Sequence, residues 1–90
     1  MSTIVDSVET IQDKLVKYIE GELLADRERS TVSIDEPLFS GLFDSLDTLR
    51  LVVFLEEQFQ IEVQDGEMAP ENFESVRRIS EYVKRKANAG

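Results

Sequence analysis

Residues 41–59 read GLFDSLDTLRLVVFLEEQF, and the way they are read decides the fold. Asp44, Ser45, Leu46 and Asp47 set a serine between two carboxylates just ahead of an apolar run. That order marks a helix start, with Asp44 as N-cap and Asp47 in the first turn, where free amides and the helix dipole favour a carboxylate. The expected helix runs from about Ser45 to Phe59. At roughly 100° per residue, Thr48, Leu51, Val52, Leu55 and Phe59 gather on one side as its buried face. Leu46, Arg50, Val53 and Glu57 form the opposite stripe, apolar and charged together. The chain has no histidine to deprotonate the serine, and carboxylates are poor bases toward an alcohol near neutral pH. Ser45 is therefore read as a residue that is acted upon.

Upstream, Ile4, Val8, Ile11, Leu15, Ile19 and Leu23 recur every three or four residues and predict a first helix over about 3–24. Thr3 with Asp6 is the expected capping pair, and Gly21 weakens the last turn so that fraying begins between Gly21 and Ala25. Periodicity then vanishes over 26–44, DRERSTVSIDEPLFSGLFD. A loop this long in a small domain packs its own side chains or serves a function. Val32, Ile34, Leu38, Phe39, Leu42 and Phe43 argue that it is pinned to the core. Downstream, QIEVQDGEMAPE is an acidic connection, followed by a short helical turn at about 71–74 that buries Phe73. Ser75 caps a last helix over about 76–86, with Val76, Ile79 and Val83 inward and Lys84, Arg85 and Lys86 at its C-terminus; 87–90 read as a loose tail.

Ninety residues, 41% hydrophobic, make one domain with a single modest core and no room for a deep lidded cavity. The net charge of −9 repels phosphate backbones, so neither nucleic acid nor an anionic membrane is an expected partner. Zero cysteine removes disulfides and thiolate metal sites, and Asp65, Glu67 and Glu71 lack the spacing of a calcium loop, so no metal site is expected. No stretch is long and apolar enough to span a bilayer, and the N-terminus MSTIVDSVET is acidic, unlike a signal peptide; the expectation is a soluble, cytoplasmic monomer. Charge is segregated. Residues 44–74 carry nine carboxylates against Arg50, whereas 77–86 hold five cations against Glu81.

GLFDSLDTLRLVVFLEEQFQIEV, with MAPENFESVRRISEYV after it, resembles the acyl carrier protein family from roughly Ile34 to Lys84. Asp-Ser-Leu by itself opens many capped helices. Followed at fixed offsets by Leu55, Glu56, Glu57, Phe59 and Ile61, it is specific. The resemblance implies an all-α, right-handed bundle of three main helices plus one short helix, and 4'-phosphopantetheine attached to Ser45 from coenzyme A. It implies a non-catalytic carrier of acyl, aminoacyl or hydroxyacyl thioesters, which is a substrate of a phosphopantetheinyl transferase, of an acyl-loading ligase or transferase, and of other biosynthetic enzymes with basic docking patches. The residues implied at the docking surface are Asp44, Leu46, Asp47, Arg50, Val53, Glu56 and Glu57.

Arg50 departs from the acidic residue common there in fatty-acid carriers, and PENFESV is closer to stand-alone carriers of specialised pathways. Simpler readings stand beside these. Asp44, Ser45 and Asp47 also describe plain helix capping, Glu56 and Glu57 a solvated face, and Leu46 and Val53 peripheral core. At the level of the whole chain, the alternative is a small acidic helical interaction module without a prosthetic group.

Overall fold

The computed structural model describes residues 7–25 and 27–89. Among them every regular element is helical. Helix α1 spans Val8–Tyr18 and continues into a π-helical turn, Ile19–Leu23; α2 spans Ser45–Phe59; a 3₁₀ turn at Asp65–Glu67 precedes α3, Pro70–Phe73; and α4 spans Val76–Ala89.

Helix α1 starts at Ser7, whose hydroxyl accepts the Thr10 N–H at 3.2 Å. The expected pair Thr3 and Asp6 lies outside the described residues. At the other end, where fraying is expected, the helix widens instead. Leu24 N–H donates to Ile19 O at 2.8 Å, and the extra residue in that turn lets Ile19, Leu23 and Leu24 all face inward. Helix α2 ends at Gln60, a non-glycine residue held in the left-handed region at φ 57°, with its side-chain amide donating to Glu57 O at 2.9 Å. Ser75 accepts the Arg78 N–H and caps α4. That helix runs on to Ala89, past the expected end near 86, so residues 87–89 of the expected loose tail are helical.

The core joins Ile11, Leu15 and Ile19 of the first helix to Leu51 and Leu55 of α2 and to Val76, Ile79 and Val83 of α4, with Phe73 beneath. α1 packs chiefly along α4, and there Gln12 donates to Ser80, a buried pair whose polar atoms satisfy each other. The long connection is pinned to this core as expected: Val32, Leu38 and Phe43 are buried. Its backbone is anchored too, because Leu38 N–H donates to Glu74 O at 2.8 Å, Arg77 N–H to Ile34 O at 3.0 Å, and Val32 N–H to the Glu20 carboxylate at 2.9 Å. Phe39 is the exception, exposed and edge-on to Phe43. These anchors fix the approach of the chain to α2.

Candidate functional site

The site is the first turn of α2 and the face below it. Gly41, at φ +114°, makes a turn that a side chain would strain, and the backbone is extended at Asp44. Asp44 Oδ1 accepts the Asp47 N–H at 2.9 Å, and Asp47 Oδ2 accepts the Asp44 N–H at 3.1 Å. Two orphan amides are thereby satisfied reciprocally. The Asp47 amide, aimed at the Asp44 carboxylate, holds that acid below its ordinary range. Thr48 Oγ1 adds a bond to Asp44 O at 2.9 Å; Thr48 is half-buried, not part of the buried face expected for it.

Ser45 is the first residue of this capped helix and is exposed; among the described residues its hydroxyl has no hydrogen-bond partner. An alcohol presented in this way is open to a reaction brought by another molecule.

Asp47 departs from its expected place on the docking surface. It is only 4% exposed, because its carboxylate is turned onto the guanidinium of Arg27, which also donates to the Leu42 carbonyl. Glu56 is half-buried and accepts the Val63 N–H at 2.9 Å, which ties the connection after α2 to that helix. Asp44, Leu46, Arg50, Val53 and Glu57 lie on the surface. Beside them stands a residue that the two-stripe reading left out: Leu49 is 60% exposed, against 55% for Leu46 and 43% for Val53. The spacing 46, 49, 53 is itself a helical apolar stripe, so the signal for Leu49 was present in the sequence. Leu49 and Val53 line a shallow cleft of about 340 Å³ with Tyr18, Arg50, Phe54 and Glu57. Its floor is fixed by the stacking of Tyr18 on Phe54, centroids 4.1 Å apart, and by the Tyr18 hydroxyl donating to Arg50 O at 3.2 Å. A second cleft of about 440 Å³ lies between the loop and α3, walled by Phe39, Thr48, Met68, Pro70 and Phe73.

A capped helix offering a free serine beside an apolar and charged face has counterparts among known proteins. Residues 13–83 match the family described as "Phosphopantetheine attachment site". The chain belongs to that family. It is a carrier protein, and 4'-phosphopantetheine is its covalently attached cofactor. Over 81 residues it is 36% identical to the D-alanyl carrier protein of Streptococcus uberis, covering 89% of this chain and 99% of that one. Among solved structures, the carrier fold resembles a chain in the crystal structure of Bradyrhizobium japonicum glycine:[carrier protein] ligase complexed with glycylated carrier protein. That match has a TM-score of 0.65 at 25% identity and covers 81% of this chain and 97% of the other. A chain in the crystal structure of an FAD-dependent dehydrogenase matches at TM-score 0.66 and 22% identity, over 76% of this chain and 97% of that one, and shows the fold alone.

The residues present fit the cofactor. A carrier needs one accessible hydroxyl for a phosphodiester, and Ser45 has an accessible hydroxyl with no competing partner. Without a cysteine the protein has no thiol of its own. When bound, the arm supplies one, on which acyl groups are held as thioesters. No helix among the described residues is long and apolar enough to cross a membrane.

Proposed function

We propose that Ser45 is the attachment point of the arm and that the groups carried are aminoacyl groups, with hydroxyacyl and other small acyl groups as the neighbouring chemistry. The observation that carries the first part is the exposed, unpartnered hydroxyl at the head of a doubly capped helix. The second part draws on the likeness to a D-alanyl carrier protein and to a carrier bound by a glycine ligase.

The chain performs no turnover in this reading. Its residues present and exclude. The capping box holds the Ser45 backbone in one conformation, so a phosphopantetheinyl transferase meets an ordered hydroxyl and supplies the base and Mg²⁺ itself. Asp44, exposed and ionised, opposes a phosphodiester beside it and keeps the arm off the helix. Leu46, Leu49 and Val53 offer shallow apolar contact, and Glu57 with the acidic stretch after α2 complements basic patches on the transferase and on an amino-acid ligase. Arg50 sets one positive charge in that face and favours partners with an acidic group opposite it. The protein works where coenzyme A is available, in the cytoplasm, and as a monomer.

Two steps test the reading. Coenzyme A and a broad-specificity phosphopantetheinyl transferase should add one arm, seen by intact mass. The loaded form, given ATP and an amino-acid-activating ligase, should then gain the mass of one small amino acid and lose it to hydroxylamine, as a thioester does. A modified protein that accepts only long fatty acyl groups would overturn the aminoacyl part.

A further inference from the structure

We infer that Arg27 is a positioning residue for the modification of Ser45; this rests on the reading of Ser45 as the attachment point. Arg27 lies just beyond the first helix, its own N–H bound to Leu24 O at 3.0 Å. Its guanidinium reaches two places on either side of the serine. One nitrogen donates to the carbonyl of Leu42, ahead of the cap, and another to Oδ2 of Asp47, behind it. That same Oδ2 accepts the Asp44 N–H. One planar group therefore fastens both arms of the turn that carries Ser45 to the end of the first helix. The pair is sheltered, with the Asp47 side chain 6% exposed and that of Arg27 31%, so water screens it less than an open surface pair.

The consequence is kinetic. In the transfer the Ser45 Oγ bonds to the phosphorus that bears the pantetheine as that phosphorus loses its bond to 3',5'-ADP, which leaves, and the hydroxyl proton passes to a base of the transferase. The attacking oxygen must lie in line with the phosphorus, and the rate falls with the fraction of time that it is so placed. Without Arg27 the Leu42 carbonyl loses its donor and the Asp47 carboxylate keeps only the Asp44 N–H. The turn then samples other arrangements, while the apolar and acidic face of α2 that a partner meets is unchanged. The loss should fall on kcat and not on KM.

The test measures initial rates of arm addition to the apo protein by a broad-specificity phosphopantetheinyl transferase with coenzyme A and Mg²⁺, read by intact mass. Arg27→Ala should lower kcat about tenfold with KM within about twofold of the parent. Arg27→Lys should fall between, because a single ammonium pairs with Asp47 but cannot fork to Leu42 as well. Should Arg27→Ala not fold at the assay temperature, Arg27→Lys carries the test on the same split. Glu20→Ala is the control for general loosening, since it releases the same loop at Val32, away from Ser45, and should keep the parental kcat. Parental kcat in the Arg27 variants, a change confined to KM, or an equal slowing by Glu20→Ala would each overturn the inference. A parent that gains no arm would instead overturn the reading of Ser45, and this inference with it.

Discussion

Asp47 and Asp44 each hold the other's backbone amide, at 3.1 and 2.9 Å, but only Asp47 is buried. The two acids of the serine-bearing turn are thus unequal. Asp44→Ala removes the side-chain acceptor of the Asp47 amide and should cost about 1 kcal/mol, the ordinary worth of an N-cap. Asp47→Ala removes a cap and also strips a sheltered guanidinium of its partner, so it should cost about 2 kcal/mol. Urea midpoints of the two variants compare them directly. A larger loss at Asp44 than at Asp47 would contradict this account of the turn.

Acid should loosen the far side of the molecule through Glu67. Its carboxylate accepts the Gln64 N–H, the Lys86 ammonium and the Tyr82 hydroxyl, and these donors, the amide foremost, hold it below the ordinary range. A depressed folded-state value means that the ionised form favours folding. That stability is complete above the ordinary glutamate range and is lost as pH falls through the folded value. Asp35, paired with Arg77, and Glu36, paired with Arg29, act with the same sign. Melting temperatures should therefore fall from pH 6 to pH 3, and Glu67→Gln should fall less steeply than the parent. Parallel curves for the two would refute Glu67 as a contributor.

The outer face of α2 should be separable into apolar and electrostatic parts. Leu49→Ser removes exposed apolar area and should raise the KM of the transferase for the protein at any salt concentration. Glu57→Lys reverses a charge, and its penalty should be largest at low ionic strength and shrink as salt screens it. Glu57 is the cleaner choice over Glu56, whose carboxylate also anchors Val63. Equal KM values for parent and Glu57→Lys at low salt would remove the electrostatic part.

Helix α2, its cap and the inward Leu51 and Leu55 were legible in the sequence because they rest on neighbours within one or two turns, whereas Thr48 is half-buried and the outer stripe includes Leu49. So was the pinning of the long loop, through Val32, Leu38 and Phe43. What escaped depends on distant partners. Nothing near Asp47 tells that its carboxylate turns inward; that follows from Arg27, twenty residues earlier, across a stretch without periodicity. The π-helical turn at Ile19–Leu23 was masked by Gly21, which signals an ending, while the burial of Leu24 calls for one more residue in the turn. The 3₁₀ turn at Asp65–Glu67 is held by side chains from α4, Tyr82 and Lys86, and its local sequence reads only as an acidic connection. Helix α4 outlasts its apolar stripe, so the stripe marks its packing and not its length.

Intact mass of parent and Ser45→Ala, after incubation with coenzyme A and a broad-specificity phosphopantetheinyl transferase, decides whether Ser45 carries the arm. Because Asp44 and Asp47 still cap the helix and the lost hydroxyl is exposed and unpartnered, Ser45→Ala should remain folded, with stability within about 0.5 kcal/mol of the parent. The parent should gain one arm and the folded variant none. An arm on folded Ser45→Ala, placed by peptide mapping at Ser40, Thr48 or any other hydroxyl, would contradict attachment at Ser45.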